Sequence, residues 1–280
     1  MNMGKYFAFI VVLILASCSD QYVMEELAVE PIGLAAENEV VAPSNEVEML
    51  IEKARWGDGE AYLKLADCYL NGNGVKKDFV KMIGMISFAH DYGDIASVND
   101  YMGKLPEESE FRLFFDAICK IDDKQVEEAH VIADRLVAES SPDGLVLKGI
   151  LSLERGDSLE ADQYFVSASE QGNELAELLL CVPDWRDGAN PNKKMLSSLT
   201  DKNPVACYIL ANHFSGQNGE PIRDERLAAY YYLKADKMAF LDQRAAGWLL
   251  DYYRKGGDVV LTAKDVQRLK KLAGVVNEEE

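Results

Sequence analysis

Apolar residues return with the spacing of an α-helix through most of this chain. After residue 45 they recur every three or four positions, which places them on one face of each helix. No stretch of useful length alternates apolar and polar residues as a β-strand does, and glycine or proline interrupts the pattern at short intervals. The first helix is predicted to begin at Ser44 or Asn45, with Glu48 as a capping partner. The pattern predicts an all-α domain over residues 46–280.

Three segments share one arrangement of small and bulky residues. Each starts at an aspartate and continues at offsets of 4, 7, 11 and 15 residues. These offsets follow one face of a helix, so small residues alternate with a larger side chain where two helices approach closely. The repetition predicts a repeat architecture. The three sets are Asp78, Met82, Met85, Ala89 and Gly93; Asp157, Ala161, Tyr164, Ala168 and Gly172; and Asp224, Ala228, Tyr231, Ala235 and Ala239.

A second signature precedes two of these segments. Its copies are Leu65, Ala66, Tyr69, Gly72, Gly74, Val75 and Asp78, and then Leu210, Ala211, Phe214, Gly216, Gly219 and Asp224. Together the two signatures resemble the Sel-one-like repeat (SLR) family, relatives of the tetratricopeptide repeats whose unit is a helix hairpin of about 35 residues. The matching units are Ala61–Gly93, Gly149–Gly172 and Ala206–Ala239, and residues 106–140 and 181–202 are degenerate units or insertions.

The resemblance implies an α-solenoid of stacked antiparallel helix hairpins, wound as a right-handed superhelix. A single hairpin leaves an apolar face exposed, and stacking the next hairpin on it buries that face. Near the end of the chain, Thr262 and Asp265 form a capping-box pattern before an apolar stripe. We therefore expect a helix over residues 262–277 that caps the solenoid.

The N-terminus carries an apolar run, Phe7–Ala16, followed by Ser17 and Cys18. The run is too short to cross a bilayer, which needs about 20 residues. Leu15, Ala16, Ser17 and Cys18 resemble a bacterial lipobox, and this implies a signal peptide over 1–17 and a lipid attached to Cys18. An unlipidated secretion signal is the alternative.

The residues after Cys18 bear on location. In Gram-negative bacteria Ser19 after the cysteine resembles the signal for residence in the outer membrane. Asp20, one position later, keeps the inner membrane as an alternative location. The predicted location is the cell envelope, with the domain facing the periplasm. Residues 18–45 are acidic and contain helix breakers, so we expect them to form a flexible tether.

The chain is strongly acidic. Its net charge is −19, and loss of Lys5 with the signal peptide leaves −20. Such a charge repels phosphate backbones and anionic lipid head groups, which argues against nucleic-acid binding and leaves the acyl group as the membrane attachment.

Cysteine and histidine placement predicts no metal site and no cofactor. The remaining cysteines, Cys68, Cys119, Cys181 and Cys207, form no CxxC motif and lie in apolar helical patterns. An oxidising compartment would allow disulfides, yet the pattern favours unpaired core thiols. The three histidines, His90, His130 and His213, fall on different predicted helices.

Candidate partner contacts come from positions outside the repeat core. On the leading helices these are Lys64, Asp67, Asn212 and His213, which the resemblance places on a concave surface. Among the aromatic residues, Tyr231 and Tyr232 occupy core positions of the repeat. Tyr230 and Tyr253 are not needed for the core and are therefore candidate aromatic anchors of a binding face. The alternative for the four residues of the leading helices is ordinary solvated polar surface. The alternative for the two tyrosines is a tyrosine-rich edge of the core.

The resemblance implies adaptor or regulatory work through a protein or peptide partner, and no catalysis. A more specific hypothesis is an immunity or inhibitor lipoprotein that neutralises a periplasmic effector, because an acidic surface steers toward a basic target. A hydrolase acting on cell-wall material or antibiotics is the less favoured alternative, since no two cysteines are spaced as in the disulfide-pinned relatives.

Overall fold

The computed structural model describes residues 43–93, 95–181, 193–216 and 224–275. The predicted signal peptide, Cys18 and nearly all of the predicted tether lie outside these residues. Within them, no helix has both the length and the apolar character needed to cross a membrane.

Helices account for all the regular structure in these residues, and this confirms the all-α prediction. They number fourteen in the described ranges. Their bounds are α1 Asn45–Ala54, α2 Gly59–Asn71, α3 Phe79–Tyr92, α4 Ile95–Lys104, α5 Glu110–Asp122, α6 Val126–Ala138, α7 Pro142–Glu154, α8 Ser158–Glu170, α9 Glu174–Cys181, α10 Lys193–Leu199, α11 Pro204–Ser215, α12 Glu225–Asp236, α13 Gln243–Arg254 and α14 Ala263–Leu272.

The repeated aspartates are helix N-caps. Asp78, Asp157 and Asp224 each accept a hydrogen bond from a backbone N–H in the first turn of α3, α8 and α12. Such a cap is worth about 1 kcal/mol. Ser44 caps α1 in the same way, so the first helix begins at Asn45, one residue before the predicted domain boundary.

Two glycines of the second signature end the leading helices. Gly72 and Gly216 are the C-caps of α2 and α11, and their φ angles are 72° and 70°. An L side chain rarely adopts this left-handed conformation, so glycine is required for the turn between the two helices.

Neighbouring helices pack in pairs as antiparallel hairpins, with the most extensive contacts in α2/α3, α7/α8 and α11/α12. This confirms the predicted α-solenoid of helix hairpins, whose handedness stays a prediction. The small residues Ala161, Ala168 and Ala235 are fully buried between helices. The prediction for the second segment was wrong at Tyr164, which is half-buried, because the neighbouring Phe165 turns into the core.

The last helices return to the first ones. Arg268 on α14 donates to both oxygens of Asp236 at 2.7 and 2.6 Å, and Arg55 after α1 donates to the same carboxylate at 2.9 Å. Phe240 after α12 packs on Phe88 of α3, with 4.8 Å between ring centroids. The array of hairpins is therefore closed end to end.

The predicted capping helix is shorter than expected. The capping box of Thr262 and Asp265 is present, but the helix ends at Leu272 because Ala273 is its C-cap. It packs on α13 and also reaches α1 through an ion pair of 2.7 Å between Lys264 and Glu52. It thus joins the two ends of the array.

Candidate functional site

A pocket of about 260 Å³ lies where the first turns of α3, α5, α7 and α9 meet. These four helices come from different hairpins, so the pocket exists only in the assembled array. Its floor is apolar and its walls carry charged groups. The lining includes Lys76, Lys77, Asp78, Val80, Ile83, Glu110, Phe114, Asp143, Asn173, Glu174 and Leu175.

Helix caps position the acidic groups of this pocket. Asn173 caps α9 by accepting from Ala176 N at 3.0 Å, and its amide donates to Asp143 of α7 at 2.6 Å. Ser141, the cap of α7, donates its hydroxyl to Glu110 at the start of α5. The polar residues that begin each helix therefore also bind the next helix.

Three lysines partly neutralise the carboxylates. Lys81 lies 2.8 Å from Asp78 in a buried ion pair. At the pocket mouth, Lys77 lies 3.0 Å from Glu110 and Lys76 lies 3.7 Å from Glu174, and both lysine side chains are exposed. Exposed ion pairs of this kind contribute about 0–1 kcal/mol.

Burial changes the acidity of two carboxyl groups. It raises the pKa of Asp143 to about 6, with a further increase from the nearby charge of Glu110. Burial and then the charge of Asp78 raise the pKa of Glu174 to about 7. Glu174 Oε2 accepts no hydrogen bond within the described residues, and the nearby Asp78 carboxyl adds to the rise in the Glu174 pKa.

The raised pKa of Asp143 predicts a pH-dependent stability. Between the ordinary value of 3.8 and about 6 the folded protein holds a proton that the unfolded chain has lost, so the free energy of unfolding falls as the pH rises through this window. The loss from Asp143 is about 3 kcal/mol. Asp143→Asn keeps an acceptor for Asn173, so we expect equal stability at pH 4 and a variant more stable by up to about 3 kcal/mol at pH 8.

Urea unfolding of both proteins at pH 4 and pH 8 measures this difference. The matched control is Asp67→Asn, because Asp67 is exposed on α2 and, among the described residues, its side chain accepts a hydrogen bond only from Asn71 of the same helix. A difference between wild type and Asp143→Asn that does not change with pH would contradict the assignment.

Comparison with known families identifies part of the array. The family model of the Sel1 repeat matches residues 59–81 and 204–235. The chain contains Sel1 repeats. The first Sel1 repeat begins at α2 and the second comprises α11 and α12, in agreement with two of the three predicted units. The unit predicted at Gly149–Gly172 stays a prediction.

Solved structures that resemble the chain include two repeat proteins. One is c5321, a protective antigen of uropathogenic Escherichia coli that displays an SLR fold, with 18% identity, a TM-score of 0.41 and coverage of 82% of this chain. This chain spans 49% of that protein. The other is a Sel1 repeat protein from Oxalobacter formigenes, with 20% identity, a TM-score of 0.39 and coverage of 83% of this chain and 77% of that one. No curated protein matches the chain.

Sel1 repeats generally serve as protein-interaction scaffolds and are typically not catalytic. Four of the predicted contact residues are exposed on or beside these repeats. Lys64 and Asp67 project from α2 of the first Sel1 repeat, Tyr230 from α12 of the second, and Tyr253 from α13. Tyr230 is 55% exposed and Tyr253 38%. Their role in partner binding stays a prediction.

The placement of Asn212 and His213 on an exposed surface was wrong. Both residues are 2% exposed, and every residue of α11 in the second Sel1 repeat is buried. Asn212 accepts the Tyr232 hydroxyl at 2.6 Å inside the core. The error arises because α11 also packs on α3 across the closed array, so the helix has no solvent-facing side.

The cysteines form no disulfide among the described residues. Cys181 and Cys207 are buried, and each thiol donates to a backbone carbonyl, at 3.1 and 3.2 Å. Burial raises the pKa of Cys181 to about 11 and that of Cys207 to about 12, so both stay protonated at neutral pH. Cys68 and Cys119 are half-buried.

Sequence reasoning did not find the pocket. Asp78 was recognised as the start of a repeated segment, but nothing in the spacing of such residues shows that four helix starts converge. In the described part of the chain no group of three or more histidine, cysteine, aspartate or glutamate residues is placed to hold a metal ion.

Proposed function

We propose that this chain is a protein-binding scaffold attached by a lipid to the bacterial cell envelope. The supporting observation is a pocket that four hairpins of a Sel1 repeat array build together. A site that needs several hairpins suits recognition of one partner segment, because its geometry is fixed by the whole array. The partner is a protein or peptide.

The proposed anchor is a lipid on Cys18, which would hold the domain at the outer membrane facing the periplasm. Growth with an azide-labelled fatty acid, followed by dye coupling, tests this attachment. We expect label on the wild type and on Cys68→Ser, and none on Cys18→Ser. Label retained by Cys18→Ser would overturn the anchor, and fractionation of the same cells locates the protein.

The proposed partner is basic. At a net charge of −20 after loss of the signal peptide, the chain attracts a basic protein from a distance, and this attraction weakens with salt. Neutralisation of a basic periplasmic effector, as an immunity or inhibitor lipoprotein does, is the more specific form of this proposal.

Quantitative capture from envelope extracts tests the scaffold. The protein is crosslinked at 50 mM and at 300 mM salt, and the co-purifying proteins are identified by mass. We expect one stoichiometric protein with a basic isoelectric point, recovered less at high salt. Empty captures at both salt concentrations would contradict the scaffold, and recovery indifferent to salt would contradict electrostatic attraction.

A hydrolase is the second candidate, and the pocket carboxyls are the observation in its favour. A carboxyl with a raised pKa, as in Asp143 and Glu174, can act as a general acid. However, Asp143 accepts a hydrogen bond from Asn173, the cap of a neighbouring helix, and this structural role explains its burial. Release of soluble fragments from purified peptidoglycan by the wild type, abolished in Glu174→Gln, would favour the enzyme over the scaffold.

A further inference from the structure

We propose that the pocket at the first turns of α3, α5, α7 and α9 binds an arginine or lysine side chain of the partner, with an adjacent apolar residue of that partner on its floor. This inference rests on the proposed function, because it assigns the ligand class of the scaffold's own pocket.

The pocket carries negative charge without a matching cation. Asp143 lines it and is 6% exposed. One carboxylate oxygen accepts from Asn173, but no lysine or arginine of the described residues forms an ion pair with this group. Lys77 is near enough to lower the Asp143 pKa, but its ammonium group is paired with Glu110. A buried charge that lacks a counter-ion is costly. A guanidinium or ammonium group from a partner would provide that counter-ion.

Glu174 provides a second acceptor for the same cation. Its Oε2 atom accepts no hydrogen bond within the described residues, and Lys76 is 3.7 Å from its other oxygen. The Lys76 side chain is 70% exposed, so this ion pair is weak and is displaced at little cost. Arginine, with five donors in a planar fork, can bond several carboxylate oxygens at once.

The pocket floor suits the apolar part of such a segment. Val80, Ile83, Phe114 and Leu175 line it and are buried in the array. Lysine and arginine place their methylene stems on surfaces of this kind while the charged end meets polar groups. A volume of about 260 Å³ lies below the range of about 300–1,000 Å³ typical of small-molecule sites, and is adequate for one or two side chains.

A metal ion is a poorer fit than an organic cation. Within the described residues, no three acidic or other ligating side chains are grouped to coordinate a metal. Cap residues such as Asp78 and Asn173 already accept from first-turn N–H groups, and the carboxylates that line the pocket would repel an anion. Both facts favour a basic side chain.

Two labelled pentapeptides test the proposal on the full chain in a non-ionic detergent. The first is fluorescein-Gly-Leu-Arg-Leu-Gly, and the second has citrulline, which is similar in shape but uncharged, in place of arginine. Fluorescence anisotropy measures both dissociation constants at pH 8. We expect the arginine peptide to bind at least tenfold more tightly to the wild type, and this preference to fall to twofold or less in Asp143→Asn.

The control variant separates the pocket from the general acidity of the chain. Asp100→Asn removes the same charge from the exposed surface of α4, away from the pocket and the predicted contact residues, and should keep the tenfold preference. Glu174→Gln serves as a second pocket variant and should lower it. Equal binding of the two peptides to the wild type, or a preference unchanged in both pocket variants, would overturn the assignment. If a stoichiometric partner is captured but the two peptides bind equally, the protein-binding function is supported and only the proposal of a basic side chain in the pocket is rejected.

Discussion

Asp236→Ala is expected to lower the free energy of unfolding by about 3–5 kcal/mol. Asp236 accepts three hydrogen bonds from two arginines, and both its side chain and that of Arg268 are nearly fully buried. Removing the carboxylate leaves Arg268 charged and buried without a counter-ion, which is more costly than losing the ion pair itself. Because Arg55 lies at the first helix and Arg268 at the last, the substitution also releases the two ends of the array.

Urea unfolding at pH 7, followed by circular dichroism, measures this loss. The matched control is Asp251→Ala, because Asp251 is exposed and lies 3.5 Å from Arg254 on its own helix. Its removal should change stability by no more than about 0.5 kcal/mol. Similar losses for the two variants would contradict the closure of the array through Asp236.

Gly84→Ala is expected to lower the free energy of unfolding by about 1–3 kcal/mol. A Cβ atom at Gly84 would lie 2.1 Å from Cε2 of Phe240, which packs edge-on against Phe88. The Phe240 ring cannot move aside without disturbing this contact between α3 and the segment that follows α12. Alanine is otherwise a better helix former than glycine, so any loss in the free energy of unfolding must come from the clash with Phe240.

Gly103→Ala is the matched control for this substitution. Gly103 is exposed near the end of α4, and a Cβ atom there meets no other atom within 4 Å. Its replacement should raise the free energy of unfolding by a few tenths to about 1 kcal/mol. Opposite signs for the two glycines are expected in thermal and urea unfolding, and the same sign for both would contradict the packing of Phe240 on α3.

The repeated hairpins could be predicted from sequence because their signals are local. Asp78 and Asp224 are recognisable as caps, and Gly72 and Gly216 as left-handed C-caps, since each acts on residues a few positions away. The alternation of small and bulky residues likewise reports packing between adjacent helices. These local features were sufficient to predict an α-solenoid of helix hairpins.

Closure of the array could not be predicted in the same way. The contact between Arg268 and Asp236 spans 32 residues, and that between Arg55 and Asp236 spans 181. Neither has a periodic signal. The same limit explains the error at Asn212, whose burial depends on a helix far away in the sequence, and the failure to find the pocket, which needs four separate helix starts to meet.

The most direct test of the account is site-selective photocrosslinking in envelope fractions. A benzophenone amino acid replaces Lys77, at the exposed mouth of the pocket, or Leu159, which is exposed on α8 and is not part of the pocket lining. We expect one adduct with a basic protein from position 77, lost when Asp143→Asn is added, and none from position 159. Adducts from position 159 alone, or equal adducts from both positions, would contradict partner binding at the pocket.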